Sequence, residues 1–174
     1  MLALGKAALL IVIAVALQTL IVSRVSVLGV TADLFLIFTV VVAISRGSMY
    51  GALFGFFAGV VADIAFLQPL GLRSLIYVLT GYFVGMVVLR FGTVNPWGVL
   101  LLAGGASFVA QFLYGLAQYA MGPQAGFFTM LGTQMLPEAV LDALVAVPVY
   151  ALLVHLRVIP GPRPEPGASR SRAE

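Results

Sequence analysis

The chain has no cysteine and one histidine, His155, in 174 residues. Without cysteine there is no disulfide, no thiolate metal site and no cysteine nucleophile, and a single histidine leaves a soft metal without ligands. Charge is scarce as well: 9% of residues are charged, against about 25% in a soluble domain. What fills the chain instead is apolar, at 62%, with a mean hydropathy of +1.14. These values define an all-α integral membrane protein. The net charge of +3 comes from basic residues scattered at the ends of apolar runs, so it indicates topology and not nucleic acid. No phosphate-binding loop, G-x-S-x-G, H-E-x-x-H or G-x-G-x-x-G run is present. Ser23, Ser26, Ser45, Ser48, Ser74 and Ser107 have no histidine on their own membrane side to serve as base. The expectation is a protein that is not an enzyme and that carries no catalytic, cofactor or metal site.

Six apolar runs are visible. The first, Ala7 to Ser23, lies between Lys6 and Arg24; Ala14-Val15-Ala16 resembles a signal cleavage site, but the apolar run continues past it, which favours a retained helix. Leu34 to Ser45 follows Asp33 and ends at Arg46. At about 1.5 Å per residue it is short for a span, unless it extends back into Val25 to Val30. Met49 to Leu67 ends at a Gln68-Pro69-Leu70-Gly71 turn, Ser74 to Leu89 lies between Arg73 and Arg90, and Val99 to Ala120 follows Asn95-Pro96-Trp97. Residues 124 to 136 read as an outer loop or interfacial segment. Pro137 then suits the first turn of a sixth helix, with Glu138 beside the positive end of its dipole. That helix runs to His155. Residues 1–157 form one transmembrane domain, and residues 158–174, rich in Pro, Gly, Ser and Arg, form a disordered basic tail.

Six spans put both termini on one side. Lys6, Arg46, Arg90, Arg157, Arg163, Arg170 and Arg172 then share that side, seven of the nine basic residues, while Arg24 and Arg73 lie opposite. Basic residues mark the cytoplasmic face. Asp33, Asp63, Glu138 and Asp142 all fall at outer helix ends.

The third run contains "GALFGFFAGVVAD", with Gly51, Gly55 and Gly59 four apart and Asp63 where the next glycine would fall. Each step of four turns a helix by about 400°, so the four residues form one stripe. In lipid, small residues at this spacing let two helices approach closely, and a carboxylate on the stripe keeps it off the lipid. Gly81 and Gly85 repeat the spacing one helix later. The stripe reads as a packing seam within the bundle or, second, a partner surface. Arg73 is the next charge along the chain and suggests an Asp63–Arg73 ion pair or water network. Gln111, Tyr114 and Gln118 share one face of the fifth helix and read as interhelical hydrogen-bonding groups.

The segment "TADLFLIFTVVVAISRGSMYGALFGFFAGVVADIAFLQPLGLRSLIYVLTGYFVG" resembles the rod shape-determining protein MreD family. It has the Ala-Asp-Leu opening, the Arg-Gly junction, the glycine-aspartate helix, the Pro-Leu-Gly-Leu turn and the G-Y-x-x-G helix. The resemblance covers residues 32–86 well and 136–157 loosely. By position the motif residues are Asp33, Gly51, Gly55, Gly59, Asp63, Pro69, Gly71, Gly81 and Gly85. Arg73 stands where a histidine is more frequent, and Asp142 where a neutral residue such as asparagine is common. The resemblance implies a non-enzymatic component of the bacterial cell-elongation machinery in the inner membrane. It would bind the single-span protein MreC and act with MreB, with RodA and its transpeptidase, and with peptidoglycan synthesis, in lipid and with homo-oligomerisation left open. It also implies a bundle similar to the substrate-binding subunits of energy-coupling-factor transporters. The competing reading is a solute-binding transport subunit, in which Asp63, Glu138 and Asp142 receive a small cation. A topology reporter fused after Glu174 is expected to read as cytoplasmic; a periplasmic signal would overturn the six-span assignment.

Overall fold

The computed structural model describes residues 12–16, 18, 29–66, 71–92, 95–121, 129, 131–156 and 158–159. Five α-helices are defined: α1 Leu34–Arg46, α2 Ser48–Ala65, α3 Leu72–Phe91, α4 Pro96–Met121 and α5 Leu136–His155. A π-helical turn, Leu131–Met135, leads directly into α5. Residues 12–16 are helical too, and no β-strand occurs among the described residues. Among the described residues, four segments are long and apolar enough to cross a membrane: Ser48–Ala65, Leu72–Phe91, Pro96–Met121 and Leu131–His155. Most of the first apolar run, the Gln68-Pro69-Leu70 part of the turn and nearly all of the tail lie outside the described residues. Within that first run, Ala14 and Gln18 are buried, so this stretch belongs to the packed fold.

Asp33 sets where α1 begins. Its carboxylate accepts the Leu36 N–H at 3.2 Å and fills the N-cap role, in which a short polar side chain satisfies a helix N–H that has no partner within the helix. Residues 29–33 are therefore non-helical, and α1 does not extend back into Val25 to Val30. At its other end Gly47, with φ +92°, turns the chain within one residue into α2, a conformation that L side chains rarely adopt. Every residue of α1 from Leu34 to Ile44 is buried, and α1 touches each of the other four helices. It is the axis of the bundle.

The helices around that axis follow the membrane pattern. On α2 the buried positions are Gly51, Phe54, Gly55, Ala58, Gly59, Ala62 and Asp63, which recur every three or four residues. Phe56 and Phe57 point outward, as do Tyr82 and Phe83 of α3. Apart from Phe54 and Asp63, the buried positions of α2 are glycine and alanine, because lipid supplies no hydrophobic drive between helices and only close packing rewards contact. The glycine stripe of α2 faces α3 antiparallel. A Cβ at Gly55 would collide with the Tyr77 carbonyl, one at Gly59 with the Ser74 backbone and one at Gly51 with the Gly81 carbonyl oxygen. Gly81 and Gly85 meet Gly51 and Ser48 in turn. All five glycines are thus used between α2 and α3, so this stripe is not open to a partner.

The last helix begins earlier than Pro137. Residues 131–135, expected as part of a loop, are helical. Pro137 has no N–H to donate and its ring crowds the preceding turn, and a wider π turn is one way a helix absorbs such a residue. The turn also brings the Met135 side chain onto Gly115 of α4. On the other side of α4, α3 diverges from it and leaves an open apolar groove of about 320 Å³ between Leu79, Phe83 and Val87 on one wall and Leu101, Val109 and Leu113 on the other. Its floor includes Gly105, where an added Cβ meets nothing within 4 Å.

Gly55→Leu should cost about 1–3 kcal/mol or more by overpacking, and Gly105→Ala should leave stability unchanged. Thermal unfolding in detergent checks both: a Gly55→Leu protein as stable as the parent would remove the close-packing account.

Candidate functional site

Polar side chains from every part of the bundle converge where the chain enters α1. Asp33 is the centre. One carboxylate oxygen caps α1, and the other accepts from Arg73 Nη1 at 2.9 Å and, in a short hydrogen bond, from the Tyr77 hydroxyl. Arg73 and Tyr77 are four residues apart on α3, so they present one face, and Arg73 Nη1 also reaches the Tyr77 oxygen at 3.1 Å. The guanidinium lies between two rings, its Cζ 4.8 Å from the centroid of Phe66 and 4.6 Å from that of Tyr114. Cation–π contact of this kind strengthens when water is kept away.

The Asp33 backbone is held from a third direction. Its N–H donates to Asp142 Oδ1 at 2.8 Å, while the second Asp142 oxygen accepts from the Ser107 hydroxyl. One turn away, Gln111 Nε2 donates to Glu138 Oε1 at 2.5 Å. Ser107 and Gln111 are i and i+4 on α4, and Glu138 and Asp142 are i and i+4 on α5, so two rungs join these helices. Gln18 closes the site from the first run: its Nε2 donates to the Ala32 carbonyl at 3.1 Å and its Oε1 accepts the Leu34 N–H at 3.0 Å.

Asp63 does something different from what its neighbourhood in sequence suggests. Its two oxygens accept the Gly71 N–H at 2.7 Å and the Arg73 N–H at 3.2 Å. It caps α3 from the preceding helix, where a negative charge also suits the helix dipole. Gly71 can offer its N–H there because it sits at φ +99°. The expected Asp63–Arg73 ion pair is therefore corrected: Asp63 binds the Arg73 backbone, and the Arg73 side chain reaches across to Asp33. Asp63 is held to the backbone N–H groups at the start of α3, while the Arg73 side chain shares one face of α3 with Tyr77 and both reach Asp33.

Of the residues singled out from sequence, Asp33, Arg73, Glu138 and Asp142 come together in this one network, with Asp63 and Gly71 at its edge. Gly51, Gly55, Gly59, Gly81 and Gly85 lie along the α2–α3 contact, and Pro69 lies outside the described residues. Sequence reasoning missed Gln18 and Tyr77 and gave Ser107 no partner; the available signal was their polarity inside apolar runs, which in a membrane demands a partner. The network can lock helices together, but it leaves no nucleophile beside a free base, and no group of three metal-ligating side chains occurs among the described residues.

A helical bundle of this kind, crossing the bilayer several times and joined inside by an ion pair and its hydrogen bonds, defines a multi-pass integral membrane protein. The chain belongs to the MreD family: the family model described as rod shape-determining protein MreD matches residues 3–157. Membership places it among proteins of rod shape determination, a structural family and not a known enzyme family. Neither the curated proteins nor the solved structures contain a match.

A double-mutant cycle of Asp33→Asn with Arg73→Gln should show coupling of about 0.5–3 kcal/mol, while Asp63→Asn with Arg73→Gln should be near additive. Unfolding in a graded detergent series measures both, and equal coupling in the two cycles would reject the assignment of Arg73 to Asp33.

Proposed function

We propose that this protein is a non-enzymatic scaffold of the bacterial cell-elongation machinery, which binds MreC in the inner membrane and through it helps control peptidoglycan synthesis and rod shape. The observation that carries this reading is the family match over residues 3–157. In the same reading MreB, RodA and its transpeptidase are indirect partners. The bundle has six spans, similar to the substrate-binding subunits of energy-coupling-factor transporters, with both termini cytoplasmic and residues 158–174 as a basic tail.

The chemistry of the polar site supports scaffold over reaction. Its carboxylates accept hydrogen bonds from helix ends and neighbouring helices, which is the work of a joint. Since the glycines are used between α2 and α3, partner docking falls to the lipid-facing surface. The solute-binding alternative loses support on size: small-molecule sites are roughly 300–1,000 Å³, whereas the cavity beside Asp33, Arg73 and Gln111 is about 10 Å³. The larger groove between α3 and α4 does not suit a cation either. Among the described residues that line it, Thr80 is the one with a polar side chain, and that hydroxyl already bonds the Ile76 carbonyl at 2.8 Å.

Detergent co-purification of the tagged protein with its own organism's MreC, with mass spectrometry for bound small molecules, tests the reading. A stoichiometric MreC partner is expected. A retained small cation with no protein partner would replace the scaffold by a solute binder.

A further inference from the structure

The Nε–H of Arg73 is a donor that the polar network does not use. Its Nη1 serves both Asp33 and Tyr77, but its Nε is buried and has no hydrogen-bond partner among the described residues. A buried N–H on a charged group without an acceptor is costly, since dehydration is not compensated and the low local dielectric magnifies the loss. Beside it lies the small cavity lined by Asp33, Arg73, Tyr77, Ala110, Gln111 and Tyr114 among others, with a volume of about 10 Å³. One water needs a space of about that size together with two to four polar partners.

We propose that this cavity is a binding site for a single structural water, which accepts the Arg73 Nε–H and donates to the Asp33 carboxylate and the Gln111 carboxamide oxygen. Other occupants do not fit. A metal cation would face the guanidinium at short range, an anion would face Asp33, and an organic molecule exceeds the volume. An empty void of this size is stable where the lining is wholly apolar; here Leu36, Ile76 and Ala110 make much of the wall, but Asp33, Arg73 and Gln111 bring polar groups to it. The water sits between Arg73 of α3 and Ala110 and Gln111 of α4, at the end of the interface beyond the open apolar groove. It therefore joins α3 to α4 at the end where Arg73 also meets the Tyr114 ring.

Hydroxyl-radical footprinting by synchrotron radiolysis, read by mass spectrometry on the full-length protein in detergent, tests this, because radicals form at bound waters and label the side chains beside them. Tyr77 is 3% exposed and Phe38, on α1, is 2% exposed, so bulk water alone predicts little label at either. Tyr77 should label several-fold faster than Phe38, and Ala110→Val, which fills the cavity, should bring Tyr77 down towards the Phe38 rate. Equal rates in the wild-type protein would overturn the proposal. So would a Tyr77 rate that stays high in a folded Ala110→Val protein, since the label would then come from bulk water. If Ala110→Val does not purify as a folded protein, the wild-type ratio decides.

Discussion

The bundle depends on what Asp33 does with so few atoms. Its side chain starts α1 by capping Leu36, holds α3 through Arg73 and Tyr77, and its backbone N–H is tied to α5 through Asp142. Because α1 is the axis that all the other helices touch, fixing its first residue orients everything around it. A buried ion pair adds little net stability against the cost of dehydrating both charges. Its contribution here is definition. The guanidinium lies against Phe66 and Tyr114 with its charge directed at one carboxylate, which ties α1, α3 and α4 together at one point.

Much of this was legible in the sequence where the rule is local. The four-residue spacing of Gly51, Gly55 and Gly59 predicts a stripe because helix geometry repeats on that scale, and Gly81 and Gly85 identify the helix that receives it. Asp33 stands before an apolar run in the sequence, but its role as the cap of α1 comes from the structure. The pairing of Arg73 was not legible. Asp63 is ten residues away along the chain and Asp33 is forty, so proximity in sequence favours the wrong acid; only the three-dimensional turn reveals that backbone N–H groups have already occupied Asp63. The helical start of the last span was hidden too, because the polar and glycine residues around Gly132 and Gln134 resemble a loop and a π turn has no sequence signature of its own.

The same contrast separates the two kinds of contact in the molecule. Between α2 and α3, glycine removes side chains and the backbones meet directly. Between α4 and α5, side chains reach across as Ser107–Asp142 and Gln111–Glu138 rungs. The first contact is specified by shape and the second by hydrogen-bond pairing. Between α3 and α4 neither kind of contact is found along the apolar groove.

The shortness of α1 has a consequence for the bilayer. Thirteen residues rise about 20 Å, while the hydrocarbon layer is about 30 Å thick. A helix of that length starting at one boundary stops about 10 Å short of the other, at a depth where exposed peptide groups have no solvent to bond. Gln18 and Asp142 stand in for that solvent: one takes the Ala32 carbonyl and the Leu34 N–H, the other the Asp33 N–H. The polar residues in these spans are then a requirement of immersion, set by a helix that stops before it reaches the far surface.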